Sequence, residues 1–127
     1  MASHLYGNYF STRSQRVLFT LEELEYPYEW HSKDFARGEH KALPYVSEHH
    51  PFGKVPAFQD DHVKLFESRA ICRYLVARKP GHLTPPFAGT SSASLVQGAR
   101  FEQAASVEQS YFEPPLEKLG FELIFKK

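Results

Sequence analysis

The sequence predicts an α/β protein: a four-stranded mixed sheet with helices on both faces, followed by the first helices of an incomplete all-α region. Three observations predict it. An apolar strand-like stretch, a run with helical spacing and a second strand-like stretch give β-α-β near the N-terminus. After an irregular stretch, two short strand-like runs flank Asp60-Asp61 and lead into an amphipathic helix, which gives β-β-α. Beyond a Pro- and Gly-rich stretch, only helical spacing remains.

Ser3-His4-Leu5-Tyr6-Gly7 reads as the first strand, broken by Gly7. Val17, Leu18, Leu21 and Leu24 carry the first helix, with Ser11, Thr12 or Ser14 as its cap and Pro27 as its stop. Tyr28 to Ser32 reads as the second strand. Gly38 and Pro44 interrupt Phe35 to His49, so one short helix or irregular turns are expected there. Pro51-Phe52-Gly53 is a turn. Ala57 to Gln59 and Val63 to Phe66 then read as a hairpin, and Ser68 to Arg78 as a helix stopped by Pro80-Gly81. Residues 1–78 are therefore expected to form a thioredoxin-like domain, βαβ-α-ββα. Residues 79–92, with three prolines and two glycines, read as a linker, and 93–127 as the start of an all-helical domain. Leu95, Ala99, Phe101, Ala105, Val107 and Tyr111 give its first helix, which Pro114-Pro115 is expected to kink or end. Leu116 to Phe125 is apolar enough to demand burial.

Composition narrows the functions. At 42% hydrophobic and 24% charged, the 127 residues are ordinary for a globular chain. A formal net charge of zero gives no broad basic surface for nucleic acid. No apolar run approaches the roughly 18 residues of a membrane helix, and the N-terminus lacks a signal-peptide pattern. The single cysteine excludes an internal disulfide framework and a CxxC pair, so a reducing, cytoplasmic setting is expected. The seven histidines form no HExxH and no zinc-finger spacing, and no metal is expected.

The residues that can carry chemistry sit at element ends. Ser11 follows a strand and precedes a helix, where its hydroxyl and the helix N-terminus can stabilise a bound thiolate. A plain N-cap accounts for the same position. Val55-Pro56 precedes a strand, and a cis bond there would turn the Val55 backbone toward a ligand; a plain turn is the alternative. Glu67-Ser68 opens a helix whose N–H groups can hold a carboxylate, or simply caps it. His40, Lys41 and Lys54 offer positive charge for a second carboxylate, or are solvated surface groups. Together they suit a small anionic peptide. Cys72, on the apolar face of its helix, reads as a buried, inert thiol.

The chain resembles the glutathione transferases, closest to the phi-like class of plants and fungi. The matching segments are Leu5-Tyr6-Gly7, Ser11, Arg16-Val17-Leu18, Gly38-Glu39-His40-Lys41, Pro51 to Phe58, Leu65 to Ile71, and Phe112-Glu113-Pro114-Pro115-Leu116. The resemblance implies that Ser11 is the catalytic serine and that His40, Lys41 and Lys54 surround the glycine carboxylate of glutathione. It implies that Val55 pairs through its backbone ahead of a cis Pro56, and that Glu67 and Ser68 clamp the γ-glutamyl end. Glutathione would be co-substrate, a small hydrophobic electrophile the partner, and a cytoplasmic homodimer the full-length form. Conjugation or reduction of organic hydroperoxides would be the reaction. His50 stands where asparagine usually precedes Pro-Phe-Gly, and Lys54 where glutamine is frequent; neither is expected to harm the site. The family's helical domain is longer than the stretch after residue 92 in this chain. That keeps a second reading open: a non-catalytic module that binds glutathione or a partner. Thioredoxin-like disulfide exchange is disfavoured, because the only cysteine is Cys72.

Overall fold

Side-chain alternation sets the two faces of the sheet. In β1 (His4–Gly7), Leu5 enters one buried cluster while Tyr6 packs against another. In β3 (Ala57–Gln59), Phe58 and Ala57 divide the same way. The computed structural model describes residues 2–84 and 91–126. Strands β2 (Glu29–Ser32) and β4 (Lys64–Phe66) complete a sheet ordered β2-β1-β3-β4. The β1–β2 pair is parallel and the other two pairs are antiparallel. The register aligns Trp30, Leu5, Phe58 and Leu65 in one row across all four strands, on the face covered by α1 (Thr12–Glu23) and α3 (Ser68–Ala77).

Val17 and Leu21 of α1, with Ile71 and Leu75 of α3, fall four residues apart and close that core with Leu5, Leu24 and Phe58. Each is almost wholly buried, which contributes about 1.5–3 kcal/mol per side chain. The opposite face carries the smaller cluster of Tyr45, Val55 and Ala57, with Tyr6 and Phe35 against it. Tyr45 belongs to α2 (Tyr45–Glu48), which comes after a 3₁₀ turn at Glu39–Lys41. The mixed four-stranded sheet and its helices match the thioredoxin-like expectation.

The chain divides into two compact units, Met1–His82 and Leu83–Lys127. The expected linker at 79–92 lies partly outside the described residues. The second unit holds α4 (Ser92–Val107) and α5 (Glu113–Gly120). Ser91 caps α4 by accepting from Ser94 N at 3.2 Å. Pro114-Pro115 do not end the helical path, which runs on through α5; the departure from α geometry that the prolines led the sequence to expect falls just before them. Prolines 114 and 115 have no N–H to donate, and the backbone widens into a π turn at Glu108–Phe112, where Glu113 N–H bonds to Glu108 O. A second π turn spans Phe121–Phe125. Leu119, Phe121, Leu123, Ile124 and Phe125 are all exposed. Among the described residues no helix is long and apolar enough to cross a membrane.

Candidate functional site

β1 ends at a glycine because no side chain fits there. A Cβ on Gly7 would lie 2.7 Å from Ser14 Oγ and 2.9 Å from the Trp30 ring. The chain then turns through Asn8, whose Oδ1 accepts from Phe10 N at 2.8 Å and whose Nδ2 donates to Lys33 O at 2.9 Å. This delivers Ser11 to the N-cap of α1, with extended backbone (φ −79, ψ 117). Its Oγ accepts from Ser14 N at 3.1 Å, so Ser11 does cap the helix. Accepting that bond leaves the hydroxyl proton to be donated outward. The first turn of α1 has no acidic residue to offset the positive helix end.

A tight loop follows α2. Gly53 has φ +61, and a Cβ on it would lie 2.9 Å from the His40 carbonyl and 2.8 Å from Lys41 Cδ. The 3₁₀ turn and the 51–54 loop are thus pressed together. Lys41 Nζ donates to Phe52 O at 3.2 Å, and Tyr45 OH donates to Lys54 O at 2.6 Å. The His40 ring meets Phe35 edge-on at 4.8 Å. Its buried Nδ1 has no hydrogen-bond partner among the described residues. Burial, and then the Lys41 charge, lowers the His40 pKa. Val55-Pro56 is cis, as is Leu43-Pro44, for which the sequence gives no comparable expectation. The Val55 side chain is buried, while its backbone N–H and C=O bond to no other backbone group among the described residues.

At the start of α3, Glu67 is the N-cap residue at φ 76, a backbone region that costs a non-glycine residue about 1–3 kcal/mol. Neither serine nor glutamate caps this helix: Glu67 makes no side-chain cap bond, and Ser68 is already helical. The buried Ser68 hydroxyl instead accepts from Arg16 Nη1 at 2.6 Å. The same helix faces meet one turn on, where Thr20 Oγ1 lies 3.3 Å from Cys72 Sγ. Cys72 is half-buried between α1 and α3 rather than enclosed in the core.

His50 is the residue whose part in the site sequence reasoning misses. It is buried, and Phe52 N donates to its Nδ1 at 3.2 Å, which puts the proton of the neutral ring on Nε2. Burial lowers its pKa; Glu67 opposes this, while Lys54 and Lys41 reinforce it. His50 therefore lies within electrostatic reach of three of the candidate binding residues at once. Its place directly before Pro51-Phe52-Gly53, between the two candidate segments, is the available signal.

The structure thus joins His40, Lys41, Lys54 and Val55 around one loop and links Glu67 to them through the field at His50. Ser68 is tied to α1 through Arg16. Ser11 bonds to none of the other candidates among the described residues; it sits in the turn of α1 preceding Arg16. The available groups are a hydroxyl donor at a positive helix end, an extended backbone at Val55, an uncapped helix start, two lysines and the orphaned His40 Nδ1. Taken one by one, these groups can bind a carboxylate, an extended backbone or a thiolate.

Comparison with known proteins places the chain in a family. The family model described as "Glutathione S-transferase, N-terminal domain" matches residues 1–77. Glutathione S-transferase PM239X14 of Arabidopsis thaliana is 42% identical over 95% of this chain and 55% of its own length. Glutathione S-transferase hmp2 of Hypomyces subiculosus is 43% identical over 100% of this chain and 57% of its own length. The crystal structure of poplar glutathione transferase F1 superposes with a TM-score of 0.82 at 36% identity, covering 98% of this chain and 56% of that one. The chain therefore spans little more than half the length of the relatives it matches.

Proposed function

Since the chain belongs to the glutathione S-transferase family, among its phi-like plant and fungal members, we propose that it binds glutathione and stabilises the glutathione thiolate through Ser11. The thiolate sulfur then attacks a small hydrophobic electrophile, forming a C–S bond while the leaving group departs with its electron pair. Reduction of an organic hydroperoxide is the second use of the site: the thiolate attacks the peroxide oxygen and breaks the O–O bond, the alkoxide leaves and is protonated to the alcohol, and a second glutathione converts the resulting sulfenic acid to glutathione disulfide and water. The observation that carries the proposal is the hydroxyl of Ser11, whose oxygen is engaged by Ser14 N and whose proton is left to donate.

Magnitudes support this. A free cysteine thiol titrates at about 8.5, and a hydrogen bond to a charged group contributes about 1.5–3 kcal/mol. One pKa unit corresponds to about 1.4 kcal/mol. A single donated bond therefore lowers the thiol pKa by roughly one to two units, to near neutrality. In this reading His40, Lys41 and Lys54 hold the glycine carboxylate. The Val55 backbone ahead of Pro56 pairs with the cysteinyl unit, and Glu67 and Ser68 hold the γ-glutamyl end. The proposal extends to a cytoplasmic homodimer, the form that the family implies.

The test is glutathione titration of this chain together with turnover of chlorodinitrobenzene. Ser11→Gly retains most of the capping, at a cost of a few tenths of a kcal/mol, but has no hydroxyl. Ser11→Thr retains both functions. We expect turnover to fall about 10- to 100-fold in the glycine variant, with the bound thiol pKa raised accordingly, and to survive in the threonine variant. Unchanged turnover in Ser11→Gly would refute the serine mechanism. Binding by the parent chain without turnover would make it a glutathione-binding module instead.

A further inference from the structure

In the parallel β1–β2 pair, His4 lies opposite Glu29 and Tyr6 opposite His31. Strand periodicity turns His4, Glu29 and His31 to the same face of the sheet. His4 Nδ1 lies 3.0 Å from His31 Nε2. Glu29 reaches both rings, with Oε2 3.5 Å from His4 Nδ1 and Oε1 3.8 Å from His31 Nε2. One donor atom from each residue falls within 4.8 Å of the others. When both rings are neutral, only one proton can sit between the facing nitrogens.

We propose that His4, Glu29 and His31 form a binding site for a divalent transition-metal cation of the Zn²⁺ type, with solvent completing its coordination. Two imidazoles and one carboxylate suit Zn²⁺ or Co²⁺, whereas Ca²⁺ and Mg²⁺ select all-oxygen shells. Tetrahedral zinc, with ligand bonds of about 2.0–2.2 Å, sets neighbouring donors about 3.3 Å apart. The two imidazole nitrogens, 3.0 Å apart, are near that value, and each has a Glu29 oxygen at 3.5 or 3.8 Å, Oε2 beside His4 and Oε1 beside His31. With one atom from each residue the three donors lie within 4.8 Å of one another, so a rotation of the exposed Glu29 carboxylate brings one oxygen to both rings. The site is open: the two histidine side chains are 29% and 30% exposed and Glu29 is 67% exposed. It is also pre-oriented on one side, because His31 stacks on the Tyr6 ring at 4.5 Å, and Tyr6 in turn stacks on His49 at 4.0 Å. Metal binding displaces the shared proton to solvent and ties the edge strand β2 to β1. None of the three residues belongs to the proposed glutathione site, and local spacing conceals them, because they come from two strands.

The test uses the full chain, titrated with Zn²⁺ against a chromophoric chelator and with Co²⁺ by visible absorption. We expect one Zn²⁺ per chain, tetrahedral-type Co²⁺ bands, and a melting temperature that rises with zinc and falls back on chelation. Glu29→Gln and His31→Gln should each weaken binding by at least about tenfold, while His82→Gln, at an exposed histidine elsewhere, should not. Glu29 is exposed, so its variant tests the site without disturbing the core. No stoichiometric binding, or equal zinc affinity in Glu29→Gln and the parent chain, would overturn the proposal.

Discussion

Arg16 Nη1 donates to Ser68 Oγ at 2.6 Å, locking the start of α3 to the second turn of α1. The bond is charge-assisted and its acceptor is buried, so it ties the proposed γ-glutamyl clamp to the helix that presents Ser11. Ser68→Ala is expected to lower the unfolding free energy by about 1–2 kcal/mol, measured by urea denaturation. The same variant should raise the KM for glutathione more than it lowers turnover at saturation.

Gly53→Ala should harm both stability and binding. The new Cβ would meet the His40 carbonyl at 2.9 Å, a backbone atom that cannot swing away, and φ +61 disfavours any L side chain. A loss of about 1–3 kcal/mol is expected, visible as a lower melting temperature. Because His40 and Lys41 must shift, glutathione affinity should fall as well.

His50 makes stability depend on pH in the weakly acidic range. Its folded pKa is lowered, chiefly by burial, so the unfolded chain takes up the proton first as pH falls. The stability is complete above the unfolded value of about 6.5. It declines as pH drops below that and goes on declining until the folded pKa is passed. His40 and His49 shift in the same direction. His50→Asn should therefore flatten, without abolishing, the fall in urea midpoint between about pH 7.5 and pH 5.5. An unchanged slope would contradict a neutral, buried His50.

Asp60 acts in the same direction at lower pH. Its Oδ1 accepts from His62 N at 2.8 Å and Val63 N at 3.0 Å, closing the β3–β4 turn, while Tyr74 OH donates to Oδ2 at 2.6 Å. Burial alone would raise its pKa, but the Tyr74 bond, the two backbone bonds and Arg78 outweigh it and lower the value. Its contribution is present above the unfolded value of about 3.9 and is lost as pH falls through the folded pKa. Asp60→Asn should destabilise the neutral protein and remove part of the acid-unfolding transition below about pH 4, as monitored by far-UV circular dichroism.

Much of the first unit is legible because its signals are local. Leu5 between His4 and Tyr6 reports a strand with one buried and one half-buried face, and Ile71 and Leu75 report the buried stripe of α3. Ser11 is legible both as a cap and as a candidate donor; the structure shows the cap, and the proposed donor role uses the proton that capping leaves on the hydroxyl. The prolines at 114–115 mislead as a stop, because helical backbone runs on past them, and their missing N–H groups are met by a wider turn just before. His50 reads as a harmless substitution; only folding brings Lys41, Lys54 and Glu67 around it.

By itself, then, the sequence determined the order of strands and helices and the residue types at their ends. Hydrophobic period, caps and turn residues act within a few positions of one another. The tertiary structure decided which of those ends meet. Arg16 finds Ser68 across 52 residues and His4 finds His31 across 27. Such pairings come from sheet register and helix packing, which no short window of sequence contains.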